Sequence, residues 1–143
     1  MDGKYFKFSL KYVQKFTFNT GIMKIRIKGN TIRYRLTKSE VDTFSVSGSF
    51  MEQTVFAATT FSYEIIAKKG IMGLEAIYQN NTITVYFPDA EKSTWATGSR
   101  VGFENTYTTA AGNELYILVE KDFVCMDETI EDQSDNYPNP KAG

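Results

Sequence analysis

With 143 residues, 42% of them hydrophobic, the chain is long enough for one packed domain with tails. A net charge of −1 excludes the strongly basic profile of a dedicated nucleic-acid binder. No histidine and one cysteine exclude Ser-His and Cys-His nucleophile pairs, histidine metal sites and an internal disulfide, and argue against zinc.

No run approaches the roughly 20 apolar residues of a membrane span, and the N-terminus lacks a continuous apolar stretch of signal-peptide type. With no disulfide to form, a cytoplasmic location is expected, and no membrane partner. The near-zero net charge hides a division. Residues 1–22 carry four Lys against Asp2, residues 126–143 carry Lys141 against five acids, and the middle is neutral.

In chain order, residues 1–22 come first, rich in Lys, Phe and Tyr. They suit either an extra strand, since Phe6 and Phe8 alternate with Lys7, or a mis-assigned start. The composition favours the second reading, with Met23 as the initiator. The clean pattern begins there. Met23, Ile25 and Ile27 alternate with Lys24, Arg26 and Lys28, and after Gly29-Asn30 the alternation resumes with Ile32, Tyr34 and Leu36 against Thr31, Arg33 and Arg35. Period-two alternation puts each set on its own sheet face, and Gly-Asn supplies the positive φ of a tight turn.

Thr37-Lys-Ser-Glu40 is a capping box that opens a short helix carrying Val41 and Phe44 on one face, with Gly48 as its stop. Strands are expected near Gln53–Ala58 and Thr60–Ala67. A second hairpin, Leu74–Tyr78 and Thr82–Phe87, turns on Asn80-Asn81. Pro88-Asp89 opens a second short helix carrying Trp95 and ending near Gly98. Strands near Val101–Thr108 and Glu114–Phe123 follow. Phe44 and Trp95 read as core residues, Cys125 as a buried thiol, and Asp122 as ordinary strand-end charge. The tail from Met126 to Gly143 is acidic, with two prolines near its end, and is expected to be extended, with Tyr137 as a packing point.

The two halves, about 23–70 and 71–125, align at an offset of 51. Asn30-Thr31-Ile32 matches Asn81-Thr82-Ile83, and Phe44 matches Trp95. The expectation is an α+β fold, a mainly antiparallel curved sheet or barrel of about eight strands with two short helices, built by duplication of a strand-strand-helix-strand-strand unit.

The run MKIRIKGNTIRYRLTKSEV from Met23, the later LVEKDFVC at Leu118–Cys125 and the ending EDQSDNYPNP resemble an uncharacterised family of small bacterial proteins, a domain of unknown function. The resemblance covers about Met23 to Pro140 and supplies no activity, cofactor or site residue.

The residues offer one main constellation. Lys24, Arg26, Lys28, Arg33 and Arg35 share one face, and five cations on adjacent strands repel unless they are solvated, paired or holding an anion. Arginine suits phosphate through its two-pronged donor geometry. The leading expectation is a non-enzymatic binding or interaction protein without cofactor, its basic face taking an anionic small molecule or an acidic protein surface. The alternative is a phosphohydrolase. Were the sheet to curl with its polar side inward, Glu64, Glu75 and Glu114 could hold Mg beside the cations, an arrangement similar at fold level to the triphosphate-tunnel phosphohydrolases. Those enzymes carry Glu-x-Glu-x-Lys on the first strand. Here the same alternation reads Lys24-Ile-Arg-Ile-Lys28, with bases where the metal-binding acids belong. In the tail, Glu131, Asp132, Ser134, Asp135 and Asn136 offer oxygen ligands without the spacing of an EF-hand loop.

Overall fold

A computed structural model describes residues 22–123 and 134–140. Among these the elements run β1 (Lys24–Lys28), β2 (Thr31–Leu36), α1 (Lys38–Ser47), β3 (Ser49–Val55), β4 (Thr60–Lys68), β5 (Glu75–Gln79), β6 (Thr82–Pro88), a 3-10 turn (Asp89–Glu91), α2 (Lys92–Thr97), β7 (Gly102–Thr108) and β8 (Glu114–Lys121). The fold is α+β, with eight strands and two short helices among the described residues.

The strands form two four-stranded sheets, ordered β1-β2-β8-β7 and β3-β4-β6-β5. The expected single curved sheet or barrel is therefore replaced by two separate sheets. The pairing is mainly antiparallel, as expected, in four of the six strand pairs among the described residues, and parallel only at the centre of each sheet. Hairpins flank a parallel pair, β2 with β8 in one sheet and β4 with β6 in the other. Alternation along a strand fixes its faces but carries no information about which distant strand lies beside it.

Each sheet takes one hairpin from each half of the chain, in the same order. The bonds at their centres also correspond. The Ser62 N–H donates to Asn81 O at 2.9 Å, and the Tyr116 N–H donates to Asn30 O at 3.1 Å. Turn chemistry differs between the halves. Asn80 and Asn81 both have positive φ, whereas in the first turn Gly29 has φ of 56° and Asn30 does not share it. Gly at the first central position is what a type II′ turn requires.

The apolar phases of the two sheets meet to form the core. Tyr34, Leu36, Ile117 and Val119 from the first sheet, and Ile65, Val85 and Phe87 from the second, are fully buried. Burying a side chain of this size contributes about 1.5–3 kcal/mol. Two tyrosines tie the layers together with their rings 5.8 Å apart. The Tyr34 hydroxyl donates to Ile83 O at 3.2 Å, and the Tyr63 hydroxyl donates to Met23 O at 2.7 Å. The two helices contribute Phe44 and Trp95, which stack against Phe87 with centroids 5.2 Å away in each case. At the start of α1 the capping box is present. The Glu40 carboxylate accepts the Thr37 N–H at 2.8 Å, and Gly48 ends the helix in the left-handed region. No helix among the described residues is long and apolar enough to cross a membrane.

Candidate functional site

Because the apolar phase of β1 and β2 faces the core, their polar phase faces outward. The cross-strand register lays out this outer face as a grid. One row runs Lys24, Arg35, Glu120, Gly102; the next runs Arg26, Arg33, Leu118, Glu104; the third runs Lys28, Thr31, Tyr116, Thr106. All five predicted cations thus lie together on β1 and β2. The β7 and β8 side of the same face carries Glu104 and Glu120.

Within the grid the cations are not equivalent. Arg35 Nε donates to Glu120 Oε1 at 3.3 Å, and Arg33 Nε lies 3.9 Å from the same oxygen. That Arg33 nitrogen is buried without a hydrogen bond. Lys24 Nζ instead reaches Asp122 Oδ2 at 3.1 Å. Asp122 is buried rather than an ordinary strand-end charge. Arg26 and Lys28 are exposed and make no ion pair among the described residues.

Beside the cations, β7 and β8 form an open cleft of about 330 Å³, lined by Arg100, Glu104, Leu118 and Glu120 over Gly102. The Arg100 guanidinium lies 3.7 Å from the Phe103 ring centroid, and its Nε donates to Gly102 O at 3.1 Å. Glu104 accepts the Tyr116 hydroxyl. Gly102 is needed here for space, since a Cβ at this position would sit 2.3 Å from Val119 O. Sequence reasoning missed Arg100, Glu104 and Glu120. The two glutamates lie on the polar phase of their strands, but only the β2–β8 pairing brings them to the basic hairpin.

The three glutamates of the tunnel alternative are not gathered. Glu64 and Glu75 lie in the second sheet, where Glu64 accepts the Thr84 hydroxyl at 2.6 Å and Glu75 pairs with Lys68 at 3.2 Å. Glu114 lies on β8 of the first sheet, six residues from Glu120, about 20 Å along an extended strand. The polar faces point outward, so the inward-facing tunnel does not form among the described residues. Nor does any group of three or more acidic or cysteine side chains among them come together to hold a metal ion.

In the tail, Asp135 docks at the start of α1. Its carboxylate accepts the Ser39 N–H at 3.1 Å and the Ser39 hydroxyl at 2.6 Å, and its carbonyl accepts the Lys38 N–H at 2.9 Å. Tyr137 packs on Phe123 with centroids 5.5 Å apart, and burial pushes its hydroxyl up to about 12. Residues 1–21, Cys125, Glu131 and Asp132 lie outside the described residues.

The offset of 51 supplies an internal control. The positions that correspond to Lys24, Arg26, Lys28, Arg33 and Arg35 in the second hairpin are Glu75, Ile77, Gln79, Thr84 and Tyr86. The same backbone position is therefore built without a single cation in one sheet and with five in the other. A hairpin of the same register is thus built without the charge.

Neither a search of curated proteins nor a search of solved structures found a match. A family model does match, over residues 23–141, most of the chain. The chain belongs to the family of unknown function DUF7009.

Proposed function

We propose that the protein is a binding or interaction protein, not an enzyme, and that the outer face of β1 and β2 takes an anionic ligand or an acidic partner. The observation that carries this reading is the contrast between the two hairpins, five cations on one and none at the corresponding positions of the other. Charge that architecture does not demand, concentrated with like side chains opposite each other, costs stability unless something offsets it. Arg26, Lys28, Arg33 and Arg35 are the residues assigned to the anion, and Lys24 flanks them. The same reading takes the fold as a duplicated strand-strand-helix-strand-strand unit, supported by the matching strand order and by the corresponding Asn30 and Asn81 bonds. It places the protein in the cytoplasm, in keeping with a chain that has one cysteine.

Thermal unfolding of the full chain with tripolyphosphate, nucleotides and sulfate, each with and without magnesium, tests the reading. A ligand at 100 times its dissociation constant stabilises the native state by about 2.7 kcal/mol, a readily measured rise. The expected result is a rise with polyanions that does not need magnesium, declines with added salt and is lost in Arg26→Glu with Lys28→Glu. A rise that survives that double substitution places the anion elsewhere and overturns the assignment.

A further inference from the structure

We infer that the edge of β1 takes an extended protein segment that alternates acidic and apolar residues, added to the sheet as another strand. The inference rests on the anion-binding reading of this face and names its partner. β1 stands at the end of its sheet, with β2 as its only neighbouring strand among the described residues. The two-residue turn closes on the pair Lys28 and Thr31. In such a hairpin the closing pair is hydrogen-bonded, and bonded pairs then alternate. Lys24, Arg26 and Lys28 therefore bond to β2, while Ile25 and Ile27 turn their N–H and C=O groups to the open edge.

The side chains along this edge make an alternating surface. On the outer side stand Lys24, Arg26 and Lys28, with Arg26 and Lys28 exposed, and Arg33 behind Arg26. On the inner side Ile27 belongs to the core-facing phase yet is 58% exposed, with no strand beyond it among the described residues. A strand laid here places its alternate side chains beside the cations on one face and beside Ile25 and Ile27 on the other. Acidic residues fit the first set and apolar residues the second.

The same column of charge selects against other occupants. A second copy of β1 would set cation against cation, and lysine on an edge strand deters such self-pairing. A small polyanion would engage Arg26 and Arg33 but leave Ile27 and the outward backbone groups uncovered.

The test compares three probes against the full chain. One is a capped peptide alternating Glu and Val, about as long as β1. The second is its isomer with the Glu residues grouped, and the third is tripolyphosphate. Affinity and hydrogen exchange of the Ile25 and Ile27 amides are read together. The inference expects the alternating peptide to bind about tenfold more tightly than the grouped isomer, to slow exchange at both amides, and to lose about tenfold in affinity with Arg26→Glu. Equal binding of the two isomers, or binding without slowed exchange at these amides, overturns it. If tripolyphosphate binds and neither peptide does, the strand partner falls and the anion-binding reading stands. If no probe binds, both fall.

Discussion

Arg26 on β1 stands directly opposite Arg33 on β2, two guanidinium side chains in one cross-strand pair on an open face. Like charges so placed destabilise a sheet, and an opposite-charge pair contributes roughly 0.2–1 kcal/mol. Arg26→Glu is therefore expected to raise the unfolding free energy by that order while weakening anion binding. Urea unfolding beside a tripolyphosphate titration checks both effects. A loss of stability would mean that Arg26 has a structural role the face does not reveal.

Glu40 gives a pH dependence with a defined sign. Burial raises its carboxyl from 4.5 to about 7, with the nearby Glu52 and Asp135 charges adding to the rise. Between those values the folded protein holds a proton that the unfolded chain has released. Stability from this group is therefore complete below about pH 4.5 and is lost as pH rises through about 7. Glu40→Gln keeps an acceptor for the Thr37 N–H and cannot ionise. It should flatten the pH profile in this window and, above it, exceed the native protein by on the order of 3 kcal/mol at most. Urea unfolding across the window decides. An unchanged slope would show that Glu40 is ionised throughout.

Gly102 sits under the cleft where β7 meets β8. A Cβ would lie 2.3 Å from Val119 O and 2.9 Å from Glu120 Cα, both backbone atoms that cannot step aside cheaply. Gly102→Ala should cost about 1–3 kcal/mol, in the range of other overpacking substitutions. Thermal unfolding that leaves the midpoint unmoved would contradict this close approach.

Asp135 joins the tail to the first turn of α1 through the Ser39 N–H and hydroxyl. A capping carboxylate removed from a helix N-terminus costs about 1 kcal/mol. Asp135→Ala should show that loss in urea unfolding, together with faster proteolysis near Tyr137. Unchanged proteolysis would mean that the Tyr137–Phe123 contact alone holds the segment.

Much of this fold is legible locally. The tight turns at Gly29 and Asn80-Asn81, the capping box at Thr37 and the stop at Gly48 are short-range chemistry, so they place β1, β2, β5, β6 and α1 to within a residue or two. β3 is the exception. It begins at Ser49, directly after the left-handed Gly48, ahead of the expected Gln53, because alternation there is masked by the buried Glu52. The partition into two sheets is not legible, since it depends on β2 choosing β8, some 80 residues away in sequence. For the same reason the five cations could be grouped from the sequence, but the carboxylates beside them could not. Asp122 read as an ordinary charge because its burial comes from Lys24 and from the Tyr137 N–H that bonds its carbonyl at 2.8 Å.

The central claim is that the outer face of β1 and β2 is an anion site, and the side-chain Nε–H signals of its arginines report on it directly. In a tripolyphosphate titration followed by NMR, the signals of Arg26, Arg33 and Arg35 should shift together along one saturating curve, with the amides of β5 and β6 unmoved. Shifts spread equally over both sheets, or no saturating shift at these three arginines, would contradict the account.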